Sequence, residues 1–415
     1  MPDISYKTLT INSSRLKDDF DELASIGITE NGGISRLALS NEDLEARAWF
    51  ANRIEEAGMM VRDDEVGNLS GFHACSNPLA KTFLIGSHLD SVTDGGNYDG
   101  AIGVLIGLEI LRTIKEAAID LPVHLEVINF TDQEGTWHSF FGSLGVVGHL
   151  DEKHLSNVEA DNGAFRVALF RAGIRPSEIH LAQRDPETLA GYLEVHIEQG
   201  ERLEQAQKQI GVVTGIVGRS TYHFNFYGQA THAATTASDM RQDALQGAAI
   251  FITQMHKLVR ESYPDGIVNC GNVHVSPGTF SVVPAQASLR IEVRHPHEQT
   301  LAELESRLIR LAHDCAREYR LSVNVRTIFR RPAIEHDLKL TQAIVAVCEE
   351  QERSHMPIVS YAGHDSQIMS RITPSAMIFL PSHQGISHNP KEYTDWGDVV
   401  AGANVALHTL LRCVY

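Results

Sequence analysis

The sequence predicts an α/β domain with a largely parallel central sheet, interrupted by a smaller α+β sandwich of the ferredoxin-like type. Apolar strand-like runs alternate with helical segments up to about Gly211, which indicates a parallel sheet covered by helices. The pattern then changes to β-α-β-β-α-β, and α/β alternation returns after Arg331. We therefore expect one domain over residues 1–212 and 330–415, with a second domain over residues 213–329 inserted into it.

The first half begins with a well-marked helix, "SNEDLEARAWFANRIEEAG". Ser40 stands at the N-cap position, Asp43 has the capping-box spacing, and Gly58 follows the last turn. One face of this helix is expected to enter the core, with Leu44, Ala48 and Ile54. The following elements are predicted as a strand over 81–91, a helix over 101–114, a strand over 123–130, and a strand running into a helix over 191–204.

The inserted domain begins with the stretch "RSTYHFNFYGQ", which places Tyr222, Phe224 and Phe226 on one face of a half-exposed strand. Its other elements are predicted as a helix over 239–262, strands over 266–276 and 286–296, and a helix over 298–319. After the insertion, "SAMIFLPS" is expected to form a strand of the main sheet. A helix from about Thr394 closes the chain.

The composition argues against several classes of function. The chain has 415 residues and a net charge of −18, from 53 acidic and 35 basic residues, which argues against a nucleic-acid-binding protein. Its five cysteines are scattered, which predicts free thiols in a reducing compartment. The N-terminus "MPDISYKTLT" has no signal-peptide pattern, and the longest apolar run, residues 101–111, is too short to span a bilayer. We expect a cytoplasmic protein that binds neither nucleic acid nor membrane.

Five potential metal ligands stand out, all but one of them at or just beyond the end of a predicted strand: His88, Asp99, Glu134, His196 and His388. In open α/β sheets, sites form beyond the carboxyl ends of the strands. Imidazole and carboxylate ligands suit Zn²⁺, Mn²⁺, Co²⁺ or Ni²⁺, and five ligands suit two ions that share one carboxylate. Asp90 is placed to accept the second ring N–H of His88. Each residue alone could be an ordinary core or surface histidine, a helix cap, a loop acid or a turn residue, so the prediction depends on their common position.

These segments carry a resemblance to a known family. "GSHLDSVTDGGNYDGAIGVL", "LEVHIEQGERLE", "GQATHAATTASDMRQDA", "IEVRHP", "AGHDSQIM" and "MIFLPSHQGISHNP" resemble the amidohydrolase branch of the aminoacylase/carboxypeptidase superfamily of dinuclear metallohydrolases. That branch includes N-carbamoyl-L-amino-acid hydrolases, allantoate amidohydrolases and β-ureidopropionases. The resemblance implies a metal-dependent amidohydrolase that cleaves a linear amide or ureido bond in a small carboxylate-bearing substrate, with the inserted domain serving as lid and dimerisation domain.

The resemblance also implies roles for single residues. One metal ion would be held by His88 and His196, the other by Glu134 and His388, with Asp99 bridging the two. Zn²⁺ or Mn²⁺ is expected first, with Co²⁺ or Ni²⁺ as alternatives. Substrate contacts are implied at Gln199, His232, Ser281, Arg294 and Gly363. Arg294 would bind a substrate carboxylate, and His232 would stabilise the oxyanion in the active site of a partner subunit, which implies a homodimer.

Gln133, in "FTDQEGTWHSF", departs from the family pattern. In these relatives the residue before the metal-binding Glu is a second Glu, which takes a proton from water and returns it to the leaving nitrogen. An amide cannot take up that proton, so turnover is expected to be poor. Either the acid has been replaced deliberately to trap bound substrate, which we favour because the other positions are retained, or the chain is naturally altered. A naturally altered chain would be a catalytically silent ligand-binding protein, or an enzyme with another base such as Asp132.

Two further departures concern the substrate. The family often has Asn where Ser281 stands and Gln where Arg219 stands. The usual carbamoyl-amino-acid and allantoate assignments therefore do not follow directly, and the acyl group could be carbamoyl, formyl or another small amide. A peptidase of the same superfamily is a weaker interpretation, because "HIEQG" is typical of the branch that acts on linear amides.

Overall fold

A computed structural model describes residues 8–150, 155 and 162–415. The chain divides into two compact units. The first contains the described residues up to Thr214 together with His336–Tyr415, and the second is Gly215–Glu335. The first seven residues, on which part of the signal-peptide prediction rests, lie outside the described residues. Among the described helices, none is both long and apolar enough to cross a membrane.

The secondary structure alternates between strands and helices through most of the first unit. The strands are β1 Met60–Asp63, β2 Leu69–His73, β3 Thr82–His88, β4 His124–Phe130, β5 Leu189–Ile197, β6 Ile210–Ile216, β7 Gly218–Tyr227, β8 Ile267–Ser276, β9 Gln286–His295, β10 Ser322–Arg331, β11 Ile334–Glu335, β12 His355–Ser360 and β13 Ser375–Leu380. The helices are α1 Ser13–Leu23, α2 Asn41–Glu56, α3 Ala101–Glu116, α4 Phe141–Val146, α5 Asn162–Arg171, α6 Arg202–Gln205, α7 Ala244–Ser262, α8 Glu298–Glu318, α9 Leu338–Glu350, α10 Asp365–Met369 and α11 Trp396–Val414.

The sheet of the first unit is parallel at its centre and antiparallel on both sides. Its strands follow the order β1-β2-β4-β3-β5-β13-β6, and β12 also pairs with β6. The pairs β4–β3, β3–β5 and β5–β13 are parallel, whereas β1–β2, β2–β4 and β13–β6 are antiparallel. Helix α3 packs on β3, β4 and β5, and α11 packs on β5 and β13. The predicted α/β class with a largely parallel central sheet is confirmed, and the carboxyl ends of its four central strands lie at one edge.

Helix α2 forms where the sequence predicts it, but it buries a different face. The Ser40 side chain accepts a hydrogen bond from Asp43 N, and Gly58 follows the helix with a φ of +65°. The expectation for Leu44 and Ala48 is wrong, since Leu44 is half-buried and Ala48 is exposed. The buried residues of α2 are Asp43, Ala46, Arg47, Phe50 and Ile54.

The second unit has the predicted β-α-β-β-α-β order and a core of its own. Its antiparallel sheet follows the order β10-β7-β9-β8, and α7 and α8 pack on the sheet. Burial alternates along β7, with the predicted face of Tyr222, Phe224 and Phe226 buried. The predicted start of the first helix at residue 239 is wrong: α7 begins at Ala244, because Asp243 caps it by accepting from the amides of Leu245 and Gln246.

Candidate metal centre and active site

The predicted ligands of the first unit gather at the carboxyl edge of the parallel strands. His88 is the last residue of β3, and His196 is the last but one of β5. Glu134 lies in the loop after β4, Asp99 directly precedes α3, and His388 lies in the loop after β13. Four strands and one helix start therefore deliver the five side chains to one place.

The first candidate ligand group consists of His88, Asp99 and His196, all three of them buried. Asp99 Oδ1 lies 3.6 Å from His88 Nε2 and 3.2 Å from His196 Nε2. Both rings point their other nitrogen at a main-chain oxygen: His88 Nδ1 lies 2.9 Å from the carbonyl of Asp90, and His196 Nδ1 lies 2.9 Å from that of Ile197. Because a carbonyl can only accept, Nδ1 carries the proton in both rings and the Nε2 lone pairs face Asp99.

The second candidate group consists of Asp99, Glu134 and His388. His388 Nε2 lies 3.4 Å from Asp99 Oδ2 and 3.4 Å from Glu134 Oε1. Asp99 thus presents one carboxylate oxygen to each group. His388 is also the most accessible of these ligands, with 46% of its side chain exposed.

These donors fit a divalent transition metal in each group. Two ligands about 2.1 Å from a tetrahedral ion lie roughly 3.4 Å apart, and the distances of 3.2–3.6 Å between the ligand atoms agree with that spacing. His88 Nε2 is buried without a hydrogen-bond partner, a position that a metal ion would satisfy. Burial lowers the pKa of His88 to about 4, which keeps its ring neutral and able to donate its lone pair at neutral pH.

The carboxylates of the site repel one another. Burial, followed by the charges of Asp99 and Asp90, raises the pKa of Glu134 well above its usual range. Burial would raise the pKa of Asp99 as well, but the charges of His196 and His388 and their hydrogen bonds hold it well below its usual range. A cation bound between Asp99 and Glu134 would allow both to ionise together.

Asp90 acts differently from the expectation. Its main-chain oxygen, not its carboxylate, meets the His88 ring, and Asp90 Oδ1 is 3.7 Å from His88 Nδ1. The carboxylate instead accepts hydrogen bonds from Gln133 N at 3.3 Å and Glu134 N at 3.1 Å. Asp90 therefore orients the ring of one ligand and the loop that carries another.

Gln133 lies at this edge, and Asp132 does not present an alternative base. Gln133 is buried, and its Nε2 donates to the main-chain oxygen of Gly363 at 3.3 Å. The carboxylate of Asp132 accepts from the main-chain amides of Trp137 and His138, at 3.1 and 2.6 Å. Asp132 is fully buried, so it holds the shape of its own loop.

Gln199 also reaches the metal groups. Its Nε2 donates to Asp99 Oδ2 at 2.6 Å and lies 3.4 Å from His388 Nε2. The remaining predicted contacts, His232, Ser281 and Arg294, belong to the second unit. His232 is exposed, its Nδ1 accepts from Ala234 N, and the main-chain oxygen of Ser281 accepts from Ala233 N. Arg294 Nε donates to Glu292 Oε1 at 2.8 Å.

Two residues that sequence reasoning missed position Asp99. Glu392 Oε1 accepts from the amides of Tyr98 and Asp99, at 2.8 and 3.0 Å. The Ser387 hydroxyl lies 2.9 Å from Asp99 Oδ2 and 2.8 Å from Glu392 Oε2. Both residues share a loop with His388, but no pattern in the sequence links that loop to residue 99.

Comparison with known proteins agrees with this geometry. The model of the family described as peptidase family M20/M25/M40 matches residues 84–412. The N-carbamoyl-L-amino-acid amidohydrolase of Pseudomonas sp. (strain NS671) is 33% identical, over 98% of this chain and 99% of the relative. The allantoate amidohydrolase of Bacillus subtilis (strain 168) is 28% identical, over 98% of this chain and 99% of the relative.

Solved structures support the same relationship. The crystal structure of an amidase of the hydantoinase/carbamoylase family from Burkholderia multivorans superposes with a TM-score of 0.87. It is 31% identical and covers 98% of this chain and 99% of its own. The resemblance predicted from the motifs is confirmed, and the chain belongs to peptidase family M20/M25/M40.

Proposed function

We propose that this chain is a metal-dependent amidohydrolase that cleaves a linear C–N bond, amide or ureido, in a small carboxylate-bearing substrate of the N-carbamoyl or N-acyl amino acid type. The observation that carries the proposal is the pair of ligand groups that share Asp99, one oxygen to each group. The proposal is further supported by relatives named as amidohydrolases of N-carbamoyl-L-amino acids and of allantoate, which match along almost the whole chain.

The proposed site holds two divalent ions, Zn²⁺ or Mn²⁺ first. His88 and His196 would hold one, Glu134 and His388 the other, and Asp99 would bridge them. When bound, such ions lower the pKa of water and polarise the bond that is cleaved. The chain itself fixes the geometry, because main-chain oxygens hold the rings of His88 and His196 with Nε2 toward Asp99.

Gln133 determines how fast the proposed reaction runs. Its amide stands where the proton of the attacking water must be taken up and later delivered to the leaving nitrogen. An amide oxygen can accept a hydrogen bond but cannot hold a proton at neutral pH. Asp132, the alternative that the sequence suggested, is occupied by the amides of its own loop. General acid–base catalysis contributes about a hundred- to ten-thousand-fold in rate, so the chain should turn over slowly.

The second unit supplies the remaining proposed roles. Arg294 binds the substrate carboxylate, a task that suits a planar guanidinium. His232 stabilises the oxyanion in the site of a partner subunit, and Ser281 contacts the substrate near it. Gln199 and Gly363 contact the substrate from the first unit. The proposed assembly is therefore a homodimer formed through the second unit, in the cytoplasm.

Restoring the acid tests the proposal. The chain with Gln133 and the variant Gln133→Glu would be reconstituted with Zn²⁺ or Mn²⁺ and assayed on N-carbamoyl, N-formyl and N-acyl amino acids, allantoate and dipeptides. We expect kcat to rise at least about a hundredfold on one of the linear amides, with little change in KM because the two side chains have nearly the same shape. Gln299→Glu is the matched control, since it makes the same change on the exposed first turn of α8.

A different function follows if the acid has no effect. A catalytically silent metal-containing protein that binds the same small molecules is favoured by Gln133 itself. If both chains hold the metals but neither hydrolyses an amide, this second function is the better one. Preferential cleavage of dipeptides by Gln133→Glu would instead indicate a peptidase.

A further inference from the structure

The four strands of the second unit carry an unusual charge. They contain six arginines and no lysine, and Glu292 is their one acidic residue, in a chain whose net charge is −18. The arginines are Arg219, Arg290, Arg294, Arg326, Arg330 and Arg331. Arginine rather than lysine is used where a carboxylate or phosphate is bound by a flat fork of donors.

Five of these arginines lie on the face of the sheet that α7 and α8 leave uncovered. Alternate residues of β7 and β9 are buried against the helices, and the residues between them are more exposed. Arg330 lies on the covered side, where it bonds Glu305 and Glu298 of α8. On the open side, Arg219 of β7 is directly opposite Arg294 of β9 and Arg331 of β10. Directly paired residues of an antiparallel sheet are about 5 Å apart at Cα, so these three side chains are neighbours.

Arg219 is held in place by its surroundings. Arg219 Nε donates to Glu292 Oε2 at 2.6 Å, and Arg294 Nε donates to Glu292 Oε1 at 2.8 Å. The guanidinium carbons of Arg219 and Arg331 lie 5.7 and 5.1 Å from the centre of the Phe329 ring. The Arg219 side chain is 47% exposed. A single carboxylate thus orients two guanidinium groups without neutralising both.

We propose that Arg219 binds a second carboxylate of the substrate, so that the substrate class is the N-carbamoyl or N-acyl derivative of an acidic amino acid. This inference rests on the proposed function, in which Arg294 binds the first carboxylate. Because Arg219 and Arg294 face each other across two paired strands and share Glu292, an anion on Arg294 lies within a few ångströms of Arg219. A substrate with one carboxylate would leave the positive charge of Arg219 and Arg331 unmatched, whereas a dicarboxylate complements it.

Calorimetric titration of the full chain tests this inference. The Zn²⁺-reconstituted protein would keep Gln133, so that intact ligand persists during the measurement. The probes are N-carbamoyl-L-aspartate and N-carbamoyl-L-alanine. We expect the aspartate derivative to bind at least about tenfold more tightly, as a charge-assisted hydrogen bond to a desolvated carboxylate would give. Arg219→Gln should bring the ratio of the two dissociation constants close to 1, and Arg219→Lys should restore part of it.

Arg290→Gln is the matched control, because Arg290 is exposed on the same face but does not contact Glu292. It should leave the ratio unchanged. An equal loss in Arg290→Gln and Arg219→Gln would mean a diffuse attraction of the whole face for anions and would overturn the inference. So would equal affinity of the unaltered chain for the two probes, or an equal weakening of both by Arg219→Gln.

The outcomes also separate this inference from the proposed function. If Gln133→Glu hydrolyses no amide while the dicarboxylate preference still depends on Arg219, the binding site stands and the hydrolase proposal fails. If Gln133→Glu hydrolyses neutral derivatives and Arg219→Gln changes no preference, the hydrolase proposal stands and the second carboxylate site does not exist.

Discussion

Asp99 is the residue on which both candidate metal groups depend, because its two oxygens face different partners. The chain turns at Gly100, with a φ of +66°, to begin α3 directly after it. A Cβ atom built on Gly100 would lie 2.3–2.4 Å from three atoms of the His88 ring. Glycine is therefore required here twice, once for the backbone angle and once for the space that His88 occupies.

We predict that Gly100→Ala weakens metal binding by about 10–100-fold, the usual effect of displacing a ligand through its neighbour. The added methyl group must push the His88 ring away from Asp99. Metal content after dialysis against graded Zn²⁺ concentrations measures the effect. Gly32→Ala is the matched control, since Gly32 also has a positive φ of +80° but nothing within 4 Å of its Cβ position. Equal metal affinity in the two variants would show that the His88 ring does not depend on the space at Gly100.

Sequence alone could locate the ligands but not what holds them. His88, Glu134 and His196 could be predicted because buried strands end beside them, and the carboxyl ends of parallel strands meet at one edge. Glu392 could not, because it acts on the amide of Asp99, 293 residues earlier in the chain. Asp90 shows the same limit: its spacing from His88 was informative, but the spacing could not tell its carbonyl from its carboxylate.

At the scale of elements, the order of strands and helices could be predicted, whereas the faces and starts of helices could not always be. Helix α2 buries Arg47, whose Nε lies 2.9 Å from Asp43 Oδ2 and whose terminal nitrogen lies 3.1 Å from the Thr131 hydroxyl. A count of apolar letters cannot find such a face, because the buried residue is charged and satisfied by partners elsewhere in the chain. This is the reason that Ala48 was wrongly expected in the core.

Helix α7 allows a test of its start. We predict that Asp243→Ala destabilises the first turn by about 1 kcal/mol, the usual cost of losing an N-cap side chain. Hydrogen exchange of the Leu245 and Gln246 amides, which Asp243 accepts, should accelerate by about fivefold. Asp239→Ala is the control, because Asp239 lies in a separate single turn, Ser238–Met240, where the sequence placed the helix start. Faster exchange of these amides in Asp239→Ala than in Asp243→Ala would assign the cap to the wrong residue.

At the scale of the whole molecule, the two units differ in core and in chemistry. Each has its own cluster of buried apolar side chains, and within residues 8–150, 155 and 162–415 the two candidate metal groups belong to the first unit. The boundaries of the second unit, Gly215 and Glu335, are partners in the pairing of β11 with β6. Sequence placed this unit at 213–329, because the change of hydrophobic pattern is visible at its first strand but β11 is too short to leave a pattern.

Metal removal should therefore act on one unit. We predict that residues 215–335, expressed alone, fold with a melting temperature that neither Zn²⁺ nor a chelator changes, since their ends already lie side by side and they contain neither candidate group. In the full chain, free Zn²⁺ at about a hundred times its dissociation constant should add about 2.7 kcal/mol to the stability of the first unit, and a chelator should remove it. Calorimetric unfolding of both proteins, with and without chelator, measures this difference. Asp99→Ala in the full chain should abolish the response to the chelator. An equal response of the isolated unit, or none in the full chain, would contradict a metal centre built from the first unit.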